Sequence, residues 1–135
     1  MIAGDRVVLR AAPPGDGERA EPMTFATVLF AVDVDGTPVG TCGLRDASPE
    51  HRRATAFATM GAAFSDHSAD TVRTLCRFAF DAMNLAKIEA DADDADVATF
   101  ESVGFVREVH RRRARWSGGA WRDTYLLGLL PGELR

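Results

Sequence analysis

Strand-type runs fill the whole first half of the chain before any helical pattern begins, so the fold has to start as a sheet. Arg6 to Ala11 has the β-branched content of a strand and is closed by Pro13, Pro14, Gly15 and Gly17, which forbid regular structure. Residues 23 to 34 then form a long apolar run. Asp35-Gly36 turns it back as a hairpin, because glycine accepts the positive φ that tight turns require. Pro38 to Leu44 is the return strand, and a turn at Ser48-Pro49-Glu50-His51 leads into Arg53 to Met60. These runs predict an antiparallel meander.

The second half alternates. Ser68 to Met83 is predicted as a helix, with Val72, Leu75, Cys76, Ala79 and Met83 on one face and Arg73 and Arg77 on the other. Leu85 to Ala90 reads as a short strand. Asp93 to Val103 reads as a second helix stopped by Gly104, which suits a left-handed cap. Phe105 to Trp116 and Trp121 to Leu130 are the last two strands, joined by Ser117-Gly118-Gly119. The fold class expected is mixed α/β (α+β), and 135 residues suit a single domain over residues 1–135.

Three segments carry a family resemblance. They are Gly4-Asp5-Arg6-Val7-Val8-Leu9-Arg10, then Pro38-Val39-Gly40-Thr41-Cys42-Gly43-Leu44-Arg45 with His51-Arg52-Arg53-Ala54, and Glu101-Ser102-Val103-Gly104-Phe105-Val106-Arg107-Glu108, the most specific. Over nearly its whole length the chain resembles the GNAT acetyltransferase superfamily, in its ribosomal-protein N-terminal acetyltransferase branch. The resemblance implies a central mixed, mostly antiparallel sheet of about seven strands, splayed into a V, with two main helices. It also implies acetyl-CoA in the gap, acetyl transfer to a small amine or protein N-terminus, and a pyrophosphate seated at the amino end of the helix at Ser68, where N–H groups and the helix dipole favour an anion. Cofactor contacts are implied at Ala58, Thr59, Met60, Phe64, Ser65, Ser68, Asp93 and Phe100.

Four positions depart from the family pattern. The stretch Ala63 to Ala69 holds neither glycine nor arginine and places Asp66 where phosphates would lie. Phe100 stands where relatives have a tyrosine acid and Thr55 where many have a glutamate; neither supplies the missing group. Ala12 to Glu21 is too short and too rich in proline and glycine for the usual helix pair, which is expected to be reduced or absent. These departures frame the alternative reading, a repurposed protein that binds or transforms a small apolar ligand in the former cleft. His67 and Asp66 are then the best-placed proton-transfer groups, with Tyr125 as a substitute acid from the final strand.

Composition removes other classes. A formal charge of -4 disfavours a generic nucleic-acid binder, and the run His110-Arg111-Arg112-Arg113 with Arg115 divides its charge between two strand faces, so an exposed or homodimer-facing strand is expected there. Asp91, Asp93, Asp94 and Asp96 fail the pattern of a calcium loop, since Ala95 stands at a ligand position; no metal is expected. Cys42 and Cys76 form no Cys-x-x-Cys pair and suggest a reduced, cytoplasmic setting, and no segment reaches the ~20 apolar residues of a membrane span.

Overall fold

The computed structural model describes residues 2–11, 27–61 and 66–135. Eight strands and two helices follow in the order β1 (Ile2–Ala3), β2 (Val7–Ala11), β3 (Val28–Val34), β4 (Thr37–Ser48), β5 (Arg53–Met60), α1 (Ser68–Ala82), β6 (Lys87–Asp93), α2 (Val97–Val103), β7 (Val106–Ser117) and β8 (Ala120–Leu129). The strands form one sheet in the order β1-β2-β3-β4-β5-β6-β8-β7, and among the described residues only β5 and β6 run parallel. The mixed, mostly antiparallel sheet with two main helices is therefore as expected. Among the described residues it has eight strands, in keeping with the about seven expected.

Strand β1 follows from the Gly4-Asp5-Arg6 motif. Gly4 N–H donates to the Val7 carbonyl at 2.8 Å, and this tight turn folds Ile2–Ala3 back onto Val8–Leu9. Asp70, in the first turn of α1, accepts the N–H groups of Asp5, Arg6 and Val7 at 3.1, 2.9 and 3.1 Å. A Cβ on Gly4 would collide with Thr74 and Asp70, so the glycine lets the turn reach the helix.

Apolar residues at alternate positions bury one sheet face against the helices. Val7, Leu9, Val32, Leu44, Ile88, Leu127 and Leu129 are fully buried and meet Val72, Leu75, Cys76 and Ala79 of α1 in one cluster. Phe30 packs edge-on against Phe78 of α1 with centroids 5.4 Å apart. The Gly104-Phe105 motif is structural as well. Gly104 caps α2 at φ 118, its N–H donating to Glu101, and Phe105 packs edge-on against Phe100 at 5.3 Å.

The strand expected over residues 23 to 34 is described from Val28, and three further boundaries differ for a visible reason. The return strand continues past Leu44 to Ser48 through an irregularity at which Asp46 has φ 54. The strand expected from Leu85 to Ala90 runs instead from Lys87 to Asp93, because Asn84 takes a positive φ and Leu85 N–H still bonds to the Ala79 carbonyl of the helix. The helix expected from Asp93 begins at Val97, because Asp93 Oδ1 accepts the N–H groups of Ala95 and Asp96 at 2.9 and 3.2 Å and closes a turn first. Residues 12–21, where the helix pair is expected to be missing, lie outside the described residues. Among the described residues no helix is long and apolar enough to cross a membrane.

Candidate functional site

The sheet opens at its one parallel junction. β5 and β6 pair only through Arg53↔Lys87, Ala54↔Ile88 and Thr55↔Glu89. Beyond that point β5 stays paired to β4 up to Met60, while β6 stays paired to β8 up to Asp93. The two strands must diverge, and a cleft of about 190 Å³ fills the gap.

Strand alternation gives the cleft two kinds of wall. Ala56 and Ala58 pair with Leu44 and Cys42 and share their core face, so they meet Ser68 and Val72 of α1 and Thr99 and Phe100 of α2. This wall is small or apolar. Phe57, Arg45 and Asp91 lie one residue out of phase with that pattern and line the cleft from the face turned away from the helices, and Ala95 and Asp96, just before α2, complete the lining. This wall is charged.

The loop after β6 is tied down by its own acids. Asp93 uses Oδ1 for the turn and accepts from Arg115 Nη1 at 3.4 Å on Oδ2. Asp94 accepts the Tyr125 hydroxyl at 3.2 Å. Burial first, and then the charge of Asp93, push the Asp96 carboxyl above the ordinary range, with Arg115 opposing them. Asp91 differs from the rest: its Oδ1 is buried without a hydrogen bond, and Arg115 Nη2 lies 3.9 Å away.

Of the residues singled out from sequence, Ala58, Ser68 and Phe100 meet around this cleft. Thr59, Met60, Asp66, His67, Asp93 and Tyr125 are not among the described lining residues, and Phe64 and Ser65 lie outside the described residues. His67 immediately precedes α1 with no side-chain capping bond, and its carbonyl accepts the Thr71 hydroxyl at 2.8 Å. Tyr125 stacks on His110 at 4.8 Å, with the Arg107 guanidinium 4.4 Å from its ring centre. Burial and Asp94 raise its hydroxyl pKa, and its proton is committed to that carboxylate. Cys42 is buried and unpaired, with its thiol pushed up to about 12 by burial, which suits packing and not nucleophilic attack.

Arg45, Asp91, Asp96 and Thr99 were not expected as site residues. A usable signal existed for one of them. In Lys87-Ile88-Glu89-Ala90-Asp91-Ala92-Asp93 every second residue is apolar, so Asp91 belongs to a charged strand face and not to a helix start.

Solved structures share this architecture. A chimeric spermidine N-acetyltransferase from Vibrio cholerae and hSSAT superposes with a TM-score of 0.82 at 18% identity, covering 95% of this chain and 97% of its own. Spermidine N-acetyltransferase from Vibrio cholerae in complex with CoA and spermine gives 0.81 at 18% identity over 95% and 97%. A probable acetyltransferase gives 0.71 at 21% identity over 80% of this chain and 64% of its own. No family model matches the sequence. No curated protein does either. The chain has the GNAT fold.

Proposed function

We propose that the protein is an acetyl-CoA-dependent N-acetyltransferase acting on an amine, and the parting of β5 from β6 carries this reading. Beyond Thr55, β5 has a strand partner on its β4 side only, so its other edge offers backbone N–H and C=O groups to an extended amide-bearing chain. The pantetheine arm of acetyl-CoA is such a chain. Ala56 and Ala58 leave room for it, so the described residues fit this part of the cofactor.

Bound there, acetyl-CoA supplies an acetyl carbon activated as a thioester. Phe100, Val72 and the two alanines exclude water from the helix side of the cleft, and the carboxylates of Asp91 and Asp96 favour a cationic amine on the opposite side. Phe100 presents no acidic proton, so the leaving thiolate takes its proton from water or from the amine. The alternative, a small apolar ligand, has less support because Arg45, Asp91 and Asp96 line the cleft.

The rest of the reading is a single-domain cytoplasmic protein of the ribosomal-protein N-terminal acetyltransferase branch, supported by the quoted motifs and by two buried, unpaired cysteines. It includes a homodimer, supported by the exposed apolar side chains Val106, Val109, Trp116 and Trp121 on β7 and β8. Analytical ultracentrifugation is expected to give twice the chain mass; a monomer at every concentration would remove the homodimer.

Calorimetric titration with acetyl-CoA tests the central claim. Binding is expected in the micromolar range. No heat at about 1 mM ligand, an affinity no better than about -4 kcal/mol, would remove the acetyltransferase reading.

A further inference from the structure

We propose that the β7–β8 hairpin docks its tip end-on against an anionic lipid bilayer surface. This goes beyond the acetyltransferase reading and does not depend on it. Residues 106–129 hold six arginines and two acids, a formal charge of +4, which leaves -8 on the rest of a chain whose total is -4. Arg107 is paired with Glu101, and Arg115 with Asp93. Arg111, Arg112, Arg113 and Arg122 make no ion pair among the described residues.

β6 pairs with β8 no further than Asp93↔Thr124, so among the described residues β7 and β8 run on alone as a two-stranded ribbon, about 13 Å along β8 from Thr124 to Ala120. Such a ribbon is marginal by itself. The cross-strand pair Trp116 and Trp121 closes its end, edge-on at 5.3 Å, yet the two indoles remain 61% and 56% exposed. Clamping the ribbon uses one side of each ring and leaves the rest in water. Only Ser117, Gly118, Gly119 and Ala120 lie between them, so the extreme tip carries no charge. The cations stand directly behind it. Arg115 faces Arg122, and residues 112 to 114 then stand opposite Asp123 alone, with Arg113 at φ 49 and its N–H donated to Asp123 Oδ1 at 3.0 Å. The bulge sets Arg112 and Arg113 where a regular ladder holds one residue.

Strand alternation decides what such a tip can meet. Arg122 and Thr124, with Arg111 opposite the latter, are out of phase with Trp121 and its partner Trp116, so these arginines and the indoles take opposite faces. A single-stranded nucleic acid lying along one face would reach one set and miss the other. A plane met by the tip reaches both. Indoles favour the interface between water and lipid, and guanidinium groups just behind them can take the phosphates. An anionic leaflet attracts this end and repels the remainder, which holds the tip forward. An acidic peptide added along the outer edge of β7 would run into the bulge, which breaks the ladder a new strand needs. Val106 and Val109 pair with Gly128 and Leu126 at the other end of the hairpin, so the homodimer reading keeps a surface of its own.

Both tryptophans of the chain lie at this tip, so their emission reports the contact directly. Phosphatidylcholine vesicles with about 30% phosphatidylglycerol should shift the emission to the blue and sediment the protein, and about 0.5 M salt should release it. Pure phosphatidylcholine vesicles and free glycerol 3-phosphate should do neither. Arg112→Gln combined with Arg113→Gln should weaken vesicle binding about tenfold, with the melting temperature and the lipid-free emission near wild type. Trp116→Ser combined with Trp121→Ser should weaken sedimentation as well, and if that protein unfolds, the arginine variant still decides. No binding to the anionic vesicles, equal binding to both kinds of vesicle, or undiminished binding by the arginine variant overturns the assignment. A stronger response to oligouridylate or polyglutamate than to vesicles overturns it in favour of a nucleic acid or an acidic peptide. A blue shift that grows with protein concentration alone overturns it in favour of the homodimer. None of these residues lines the cleft, so every outcome leaves the acetyl-CoA titration to be judged separately.

Discussion

Replacing Ala58 by tryptophan is expected to cost at least about 100-fold in acetyl-CoA affinity, roughly 2.7 kcal/mol, while the protein stays folded. Ala58 lines the cleft from β5 and is only partly buried, so an indole there grows into open space of about 190 Å³ and not into packed core. That space is small enough for one ring system to fill most of it. Calorimetry with acetyl-CoA, beside a thermal melt, measures both halves of the expectation. A folded Ala58→Trp protein with undiminished affinity would mean that the cofactor does not enter between β5 and β6.

Replacing Asp70 by alanine is expected to destabilise the fold by about 2–3 kcal/mol and to lower the melting temperature by roughly 10 °C. The change removes the acceptor of three backbone N–H groups at residues 5 to 7, of which that of buried Val7 is least able to turn to water, and releases the β1–β2 turn from α1. Burial pushes the Asp70 carboxyl up, but the amides of Arg6, Asp5 and Val7, with Arg73, outweigh it and hold the pKa below the ordinary value. A depressed native pKa means that this stabilisation is complete above the ordinary carboxylate range and disappears as pH falls through the native value. Denaturant melts of wild type and Asp70→Ala should therefore differ at neutral pH and converge in acid. A gap that stays constant down to strongly acidic pH would assign the effect to lost packing instead of the carboxylate.

Residue pattern carried the order of the elements because the strands and α1 have clean periods, while the sheet's mixed architecture followed from the family likeness. Asp35-Gly36 and Gly118-Gly119 sit at the tight turns with positive φ, and the α1 positions Val72, Leu75, Cys76 and Ala79 are all buried. Two departures from the sequence reading share one cause: side chains that bond the backbone. Asp93 extends β6 by closing a turn before α2, and Asp70 creates β1 by holding a loop 63 to 65 residues away in sequence. The Asp70 contact leaves no local signature, and the Asp93 turn, though local, reads equally as the acidic start of a helix. The candidate site was half legible. Ala58, Ser68 and Phe100 followed from family likeness, whereas Arg45, Asp91 and Asp96 reach the cleft only because β5 and β6 part after three paired residues. A search for familiar acids and bases led instead to Tyr125, whose hydroxyl is bound to Asp94.

The three-residue junction also bears on mechanics. Strands β1 to β5 and strands β6 to β8 share a ladder of only three residue pairs, and the contact of α1 with α2 adds to the cohesion across the seam. Each block can keep its own internal ladder while the seam flexes. Amide exchange would then divide the protein into two protected islands with a softer isthmus at Arg53 to Thr55, and a molecule wedged into the seam would act as a splint that slows exchange on both banks at once.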